Sequence, residues 1–204
     1  MKTNPVLDSL LYVAHAGNWT TALFDILLMT GFVTAVLVWR RRPEQRTGYH
    51  VWMLIARTIV GAMWWQQTIW KTPPTYGGLH FWMEQMAKYA SSGLQSHFVS
   101  DVVLAHYTVF APQVYLSEVL ISGCLLLGVW SRLGALVGSA MALNLMFGLY
   151  RSPSEWVWTY VFLVIIMVQF AVEPPGRSLG LDALLRSTVD QELSGRGRLL
   201  RWVR

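Results

Sequence analysis

The chain has 204 residues, of which 54% are hydrophobic and 13% charged, with eleven tryptophans and a formal net charge of +5. This composition departs from soluble globular averages toward lipid, so we read the chain as an all-α, polytopic membrane helical bundle. The arginines are juxtamembrane and no recognition motif accompanies them, which argues against nucleic acid as a partner.

Residues 1–18, MKTNPVLDSLLYVAHAGN, lack a basic region followed by a long apolar core and a small-residue cleavage site, so a short retained outer tail is expected. A span needs about 20 mostly apolar residues. Five stretches meet that criterion within a membrane domain of 19–173: about 19–39, 50–70, 112–130, 133–150 and 155–173. Tryptophans at 19, 39, 52, 70, 156 and 158 flank three of them, as interfacial belts do. Between the second and third spans lies one large loop, 71–111. After the turn signal TPPTYGG, Leu79, Trp82, Met83, Met86 and Tyr89 recur at helical spacing opposite His80, Glu84, Gln85 and Lys88. That pattern predicts a short helix on the membrane surface, with a second helical piece at about 97–108. Pro174-Pro175-Gly176 then stops the last span and opens a basic tail, 174–204, whose Leu181, Leu184 and Leu185 form an apolar stripe suited to surface anchoring.

Charge sets the expected orientation. Eleven Lys and Arg residues fall on the side of Arg40, Arg41, Arg42, Arg46, Arg132 and the tail, against four on the other, which places the N-terminus outside and the C-terminus in the cytoplasm. The tail then faces anionic lipid.

The polar residues inside the spans carry the functional question. Glu118 lies in YLSEVLISGCLLLGVW. An ionised group in hydrocarbon costs roughly 2.5–3.5 kcal/mol on insertion scales, so it needs a partner. Counted by depth, Asp25, Gln66 or Gln67, Glu118, Asn144 and Tyr160 all fall roughly 6–10 Å below the outer surface. Arg57 lies nearer the cytoplasmic side and shares one helical face with Gly61, Trp64, Thr68 and Lys71. Its guanidinium has Glu118 or Asp25 to reach toward, or Thr34, Ser122 and Ser139 at its own depth. Two readings compete: a buried network that fixes helix register, and a polar layer that binds a head group or carries protons.

Other motifs are weaker. Gly134 and Gly138 form GxxxG, read as packing within the chain. The single cysteine, Cys124, excludes an internal disulfide, a CxxC redox pair and a cysteine-based metal site. His97 and His106 bracket Asp101 at spacings that do not suit two ligands on one face, so no metal is expected. No phosphate-binding loop, dinucleotide fingerprint, GxSxG or CxxCH occurs, and no covalently bound cofactor is expected.

Residues 52–185 resemble the DoxX superfamily, in its DoxD-like branch, the small subunit of thiosulfate:quinone oxidoreductase. RTIVGAMWWQQTIWK is similar to the arginine, glycine and lysine opening of that family. YLSEVLISGCLLLGVWSRLGALVGSAMALNLMF resembles its glutamate, glycine-leucine and arginine segment, and GRSLGLDALL its closing motif. The matching positions are Arg57, Lys71, Glu118 and Arg132. The resemblance implies a four-helix core with one added N-terminal helix in a bacterial inner membrane, and a subunit of a quinone-linked electron-transfer complex with no redox centre of its own. Quinone and lipid are the bound molecules it suggests, and other membrane subunits its partners. The alternative is an accessory subunit docked on a larger respiratory or photosynthetic complex. A small transporter is weaker, because no span is broken in mid-membrane by Gly or Pro.

Overall fold

A computed structural model describes residues 19–185, and among them every regular element is helical. Calls on residues 1–18 and 186–204, including most of the basic tail, lie outside the described residues. The helices are α1 (Trp19–Arg41), α2 (Gly48–Ile69), α3 (Leu79–Lys88), α4 (Gly93–His97), α5 (Tyr107–Leu127), α6 (Ser131–Gly148) and α7 (Val157–Val172), and residues 181–185 begin a further helical turn. Two of them, α1 and α5, are long and apolar enough to cross a membrane, and α7 is apolar but shorter.

Local chemistry explains most boundaries. The Arg46 side chain reaches back to the carbonyls of Trp39 and Arg40, at 2.9 and 3.3 Å, and so supplies donors to the C-terminus of α1. Thr47 caps α2 by accepting from the His50 amide. Helix α5 starts five residues earlier than the apolar run at 112 and carries Pro112 inside it. Gly128, in the left-handed region at φ 64°, ends α5 and opens a tight turn into α6.

Helices α2, α5, α6 and α7 build the main core, with Met53, Val60, Trp64, Ile121, Leu125, Ala135, Met167 and Phe170 buried against one another. Gly134 faces Cys124 of α5, and Gly138 faces Met167 of α7, so both glycines of GxxxG serve packing within the chain. Helix α1 joins from outside this core through Phe24, Trp65 and Leu126. It comes close because residue 31 is glycine, where an added Cβ would lie 2.3 Å from the Leu126 carbonyl oxygen. Gly31→Val is therefore expected to lift α1 off α5 at a cost of about 1–3 kcal/mol. Hydrogen exchange checks this: α1 amides gain exchange while those of α5 to α7 keep their protection.

The bundle has two ends. At the long-loop end, the apolar stripe of α3 meets protein. Its Leu79, Met83 and Met86 are buried with Val99, Ala111 and Leu149, so the helix covers the bundle. A stripe at 3–4 spacing is the same whether it meets lipid or protein. The second helical piece begins earlier than expected, as α4, and continues through a π-helical segment, Phe98–Leu104. At the opposite, hairpin end, residues 174–185 fold back over the α5–α6 turn, and Ala183 packs with Ala35 and Val38 of α1.

Candidate functional site

The seam between α2 and α5 carries three polar rungs, and residue numbers rise on one helix as they fall on the other, as antiparallel helices require. At the hairpin end Arg57 is fully buried and donates to the carbonyls of Leu125 and Leu126, at 2.6 and 2.8 Å, and of Leu179 at 3.2 Å. In the middle the Ser122 hydroxyl donates to the Gly61 carbonyl at 2.7 Å. At the long-loop end Lys71 Nζ donates to Glu118 Oε1 in an ion pair with both side chains almost wholly buried.

The first rung is a clamp on helix ends. The last carbonyls of a helix lack intrahelical donors and carry partial negative charge, so a guanidinium fork suits them. Asp182 does the converse for α6, accepting from the amides of Trp130 and Ser131 at 2.9 and 3.2 Å and from the Ser131 hydroxyl at 2.9 Å. Gln45 pins the same segment, donating to the Arg177 carbonyl at 3.0 Å and accepting from the Leu179 amide at 2.8 Å, while His50 Nδ1 meets the Ser178 hydroxyl at 2.8 Å. Trp130 and Leu179 take positive φ, 47° and 55°, within this knot. Among the buried side-chain nitrogen and oxygen atoms of this knot, Arg57 Nε lacks a hydrogen-bond partner.

The third rung is different. Glu118 is 2% exposed, yet its Oε2 has no hydrogen-bond partner. Lys71 Nζ also stands 4.5 Å from the centre of the Trp70 ring. Tyr115 is buried one turn before Glu118, and the indole N–H groups of Trp64 and Trp65 are buried without acceptors. Trp64 packs with Ile121, and Trp65 with Val119 and Leu126, so they fall on either side of α5. A buried carboxylate with one satisfied oxygen and one bare one accepts a proton or a hydrogen bond from whatever donor arrives there.

The common polar layer does not assemble. Asp25 is exposed on α1, Gln67 is exposed and Gln66 half-buried on α2. Asn144 is exposed and accepts from Gln95 Nε2 at 2.8 Å, and Tyr160 donates to Glu155 Oε2 at 2.9 Å. Equal depth places residues on one level but does not turn their helical faces toward one another. Arg57 reaches neither Glu118 nor Asp25. Glu118 and Leu125 are seven residues apart on α5, roughly 10 Å along the axis. Thr34 and Ser139 bond instead to carbonyls four residues back on their own helices, each at 2.8 Å. Arg132 donates to the Val172 carbonyl at the end of α7.

Residue spacing alone left Lys71 unpaired with Glu118, although Lys71 lies on the buried face that starts at Arg57. It also gave no role to Gln45, His50, Ser131 or Asp182, whose partners lie far along the chain. In the long-loop segment the Ser100 hydroxyl, 2.6 Å from Asp101, holds that carboxyl below the usual carboxylate range, with His97 adding to the effect. His106 Nδ1 meets the Val102 carbonyl. No group of three or more His, Cys, Asp or Glu side chains among the described residues is placed to hold a metal.

Compared with known proteins, the chain matches no family model, no curated protein and no solved structure.

Proposed function

We propose that the chain is an integral-membrane subunit of a quinone-linked electron-transfer assembly, and that Lys71 and Glu118 form the polar end of its quinone site. One observation carries this: Glu118 Oε2 is buried and unpartnered beside a cation. A quinol hydroxyl suits that oxygen as a donor, and a quinone carbonyl suits the remaining N–H groups of Lys71. Bound there, a quinone would supply two-electron, two-proton chemistry, while the chain's own groups orient its head and hold a proton. The DoxD-like resemblance over residues 52–185 supports the same reading.

In this reading all five long helices span a bacterial inner membrane, N-terminus outside, with anionic lipid at the basic tail and other membrane subunits as partners. The exposed apolar side chains favour lipid contact: Phe32, Trp52, Leu116 and Phe162 are each 62–65% exposed on four different helices. The second reading, an accessory subunit without chemistry, is favoured by the Arg57 clamp, whose bonds are all spent on the chain's own backbone.

Tryptophan quenching of the purified chain by a short-tailed quinone and its quinol separates the two. Saturable binding is expected, about tenfold or more weaker in Glu118→Gln, since a hydrogen bond to a charged group contributes about 1.5–3 kcal/mol. Asp25→Asn and Asn144→Ala should leave it unchanged. Quenching that never saturates, or that ignores Glu118→Gln, removes the quinone site and leaves the accessory role.

A further inference from the structure

The chain that links α3 to α5 is tied to α6 at two levels. The Ser91 amide donates to the Phe147 carbonyl at 2.8 Å, and Gln95 Nε2 donates to Asn144 Oδ1 at 2.8 Å, so this stretch runs toward the hairpin end as α6 runs away from it. Trp130, 45% exposed, marks an interfacial level at the hairpin end. Counted from that end at about 1.5 Å per residue, Asn144 stands about 20 Å up α6, and Tyr107, the first residue of α5, about 30 Å up its own helix. A hydrocarbon core is about 30 Å thick. Gln95 is therefore held below the level at which α5 begins, and the chain climbs from it through the end of α4 and the π-helical segment.

Three flanks of this climb differ. Val99, 2% exposed, packs with Met86, Ala111 and Leu149. Leu94, Phe98 and Val102 recur every four residues and are 84%, 45% and 40% exposed. His97 and Asp101, paired at 3.3 Å, are the exposed ionisable groups beside them. The apolar flank continues into Val109, Leu116 and Leu120, all exposed on α5, a helix long and apolar enough to cross a membrane. The amides of Gln95 and Asn144 spend a donor and an acceptor on each other, which lowers the cost of holding them in an apolar layer.

We propose that residues 93–104 are seated in the lipid leaflet at the long-loop end, with Leu94, Phe98 and Val102 among acyl chains and the His97–Asp101 pair toward the head groups. Twelve residues are too few to cross a bilayer, and a segment of about 10–14 suits a re-entrant or interfacial element. Phospholipid is the occupant because the flank is continuous with the outer face of α5 and is tied at a depth that a water-borne partner does not reach. The proposal rests on the membrane reading of the long helices and is independent of the quinone site.

Spin labels on introduced cysteines test it in liposomes of phosphatidylcholine and phosphatidylglycerol, since the native Cys124 is buried. Labels in Leu94→Cys, Phe98→Cys and Val102→Cys are expected to meet oxygen as readily as a label in Leu116→Cys. They should meet a water-soluble nickel chelate at least about threefold less often than a label in Asp101→Cys. Chelate contact equal to that of the Asp101→Cys label, with the Leu116→Cys label still in lipid, overturns the seat and leaves the membrane reading standing. Labels shielded from both reagents also overturn it, by showing a protein surface over the stripe. Chelate contact at the Leu116→Cys label as well would sink the membrane reading itself and the seat with it. If one variant fails to fold, the other two decide.

Discussion

Lys71→Met is expected to destabilise the folded chain by about 3–5 kcal/mol, because it strands a buried carboxylate whose second oxygen already lacks a donor. Lys71→Met combined with Glu118→Leu should recover most of that loss. Replacing both members of a buried pair with apolar groups removes the desolvation cost together with the attraction, and such replacements are often neutral or stabilising. Unfolding in mixed micelles of rising denaturing-detergent content measures both variants. A double variant that refolds well yet binds no quinone would assign the pair to function; equal damage in the single and double variants would show that packing around Trp70 and Tyr115 dominates.

The next largest effect belongs to Arg57. Arg57→Met takes the Arg57 donors from the buried carbonyls of Leu125, Leu126 and Leu179; Leu125 keeps the Gly128 amide at 3.3 Å, and each group left unsatisfied costs about 1–3 kcal/mol. Arg57→Lys should rescue little, since one ammonium cannot reproduce a planar fork that spans the end of α5 and the returning segment. Hydrogen exchange at the Gly128, Asp182 and Ala183 amides reads the opening of this end. A lysine variant with native protection there would mean that charge at the helix terminus, and not fork geometry, holds the knot. The site also leaves no room for a side chain at residue 128, where an added Cβ would stand 2.9 Å from Arg57 Cζ and 2.8 Å from Gly180 Cα.

The helical class and the approximate places of the five long helices were legible because apolar runs, tryptophan flanks and Gly-Pro punctuation are local signals. The face shared by Arg57, Gly61, Trp64, Thr68 and Lys71 was legible for the same reason, and all five are buried. Partners were not. Depth counting grouped Asp25, Asn144 and Tyr160 with Glu118, but a helix's rotation about its axis decides which residues meet, and packing sets that rotation. Spacing offers Arg57 only side-chain partners, whereas its acceptors are carbonyls that any residue supplies. The α3 stripe was clear, but its covering role depends on the cluster formed with Val99 and Leu149, one from a π-helical segment and one from a helix end.

Asp182 caps a helix that begins fifty-one positions earlier, and Leu179 completes a clamp whose arginine lies 122 positions back. A ribosome delivers the chain in order, so the α5–α6 corner is made long before the groups that satisfy it. Until residue 182 emerges, the amides of Trp130 and Ser131 lack their carboxylate acceptor. The bonds that close this corner therefore depend on residues that follow it by some fifty positions, and they cannot form before those residues are made.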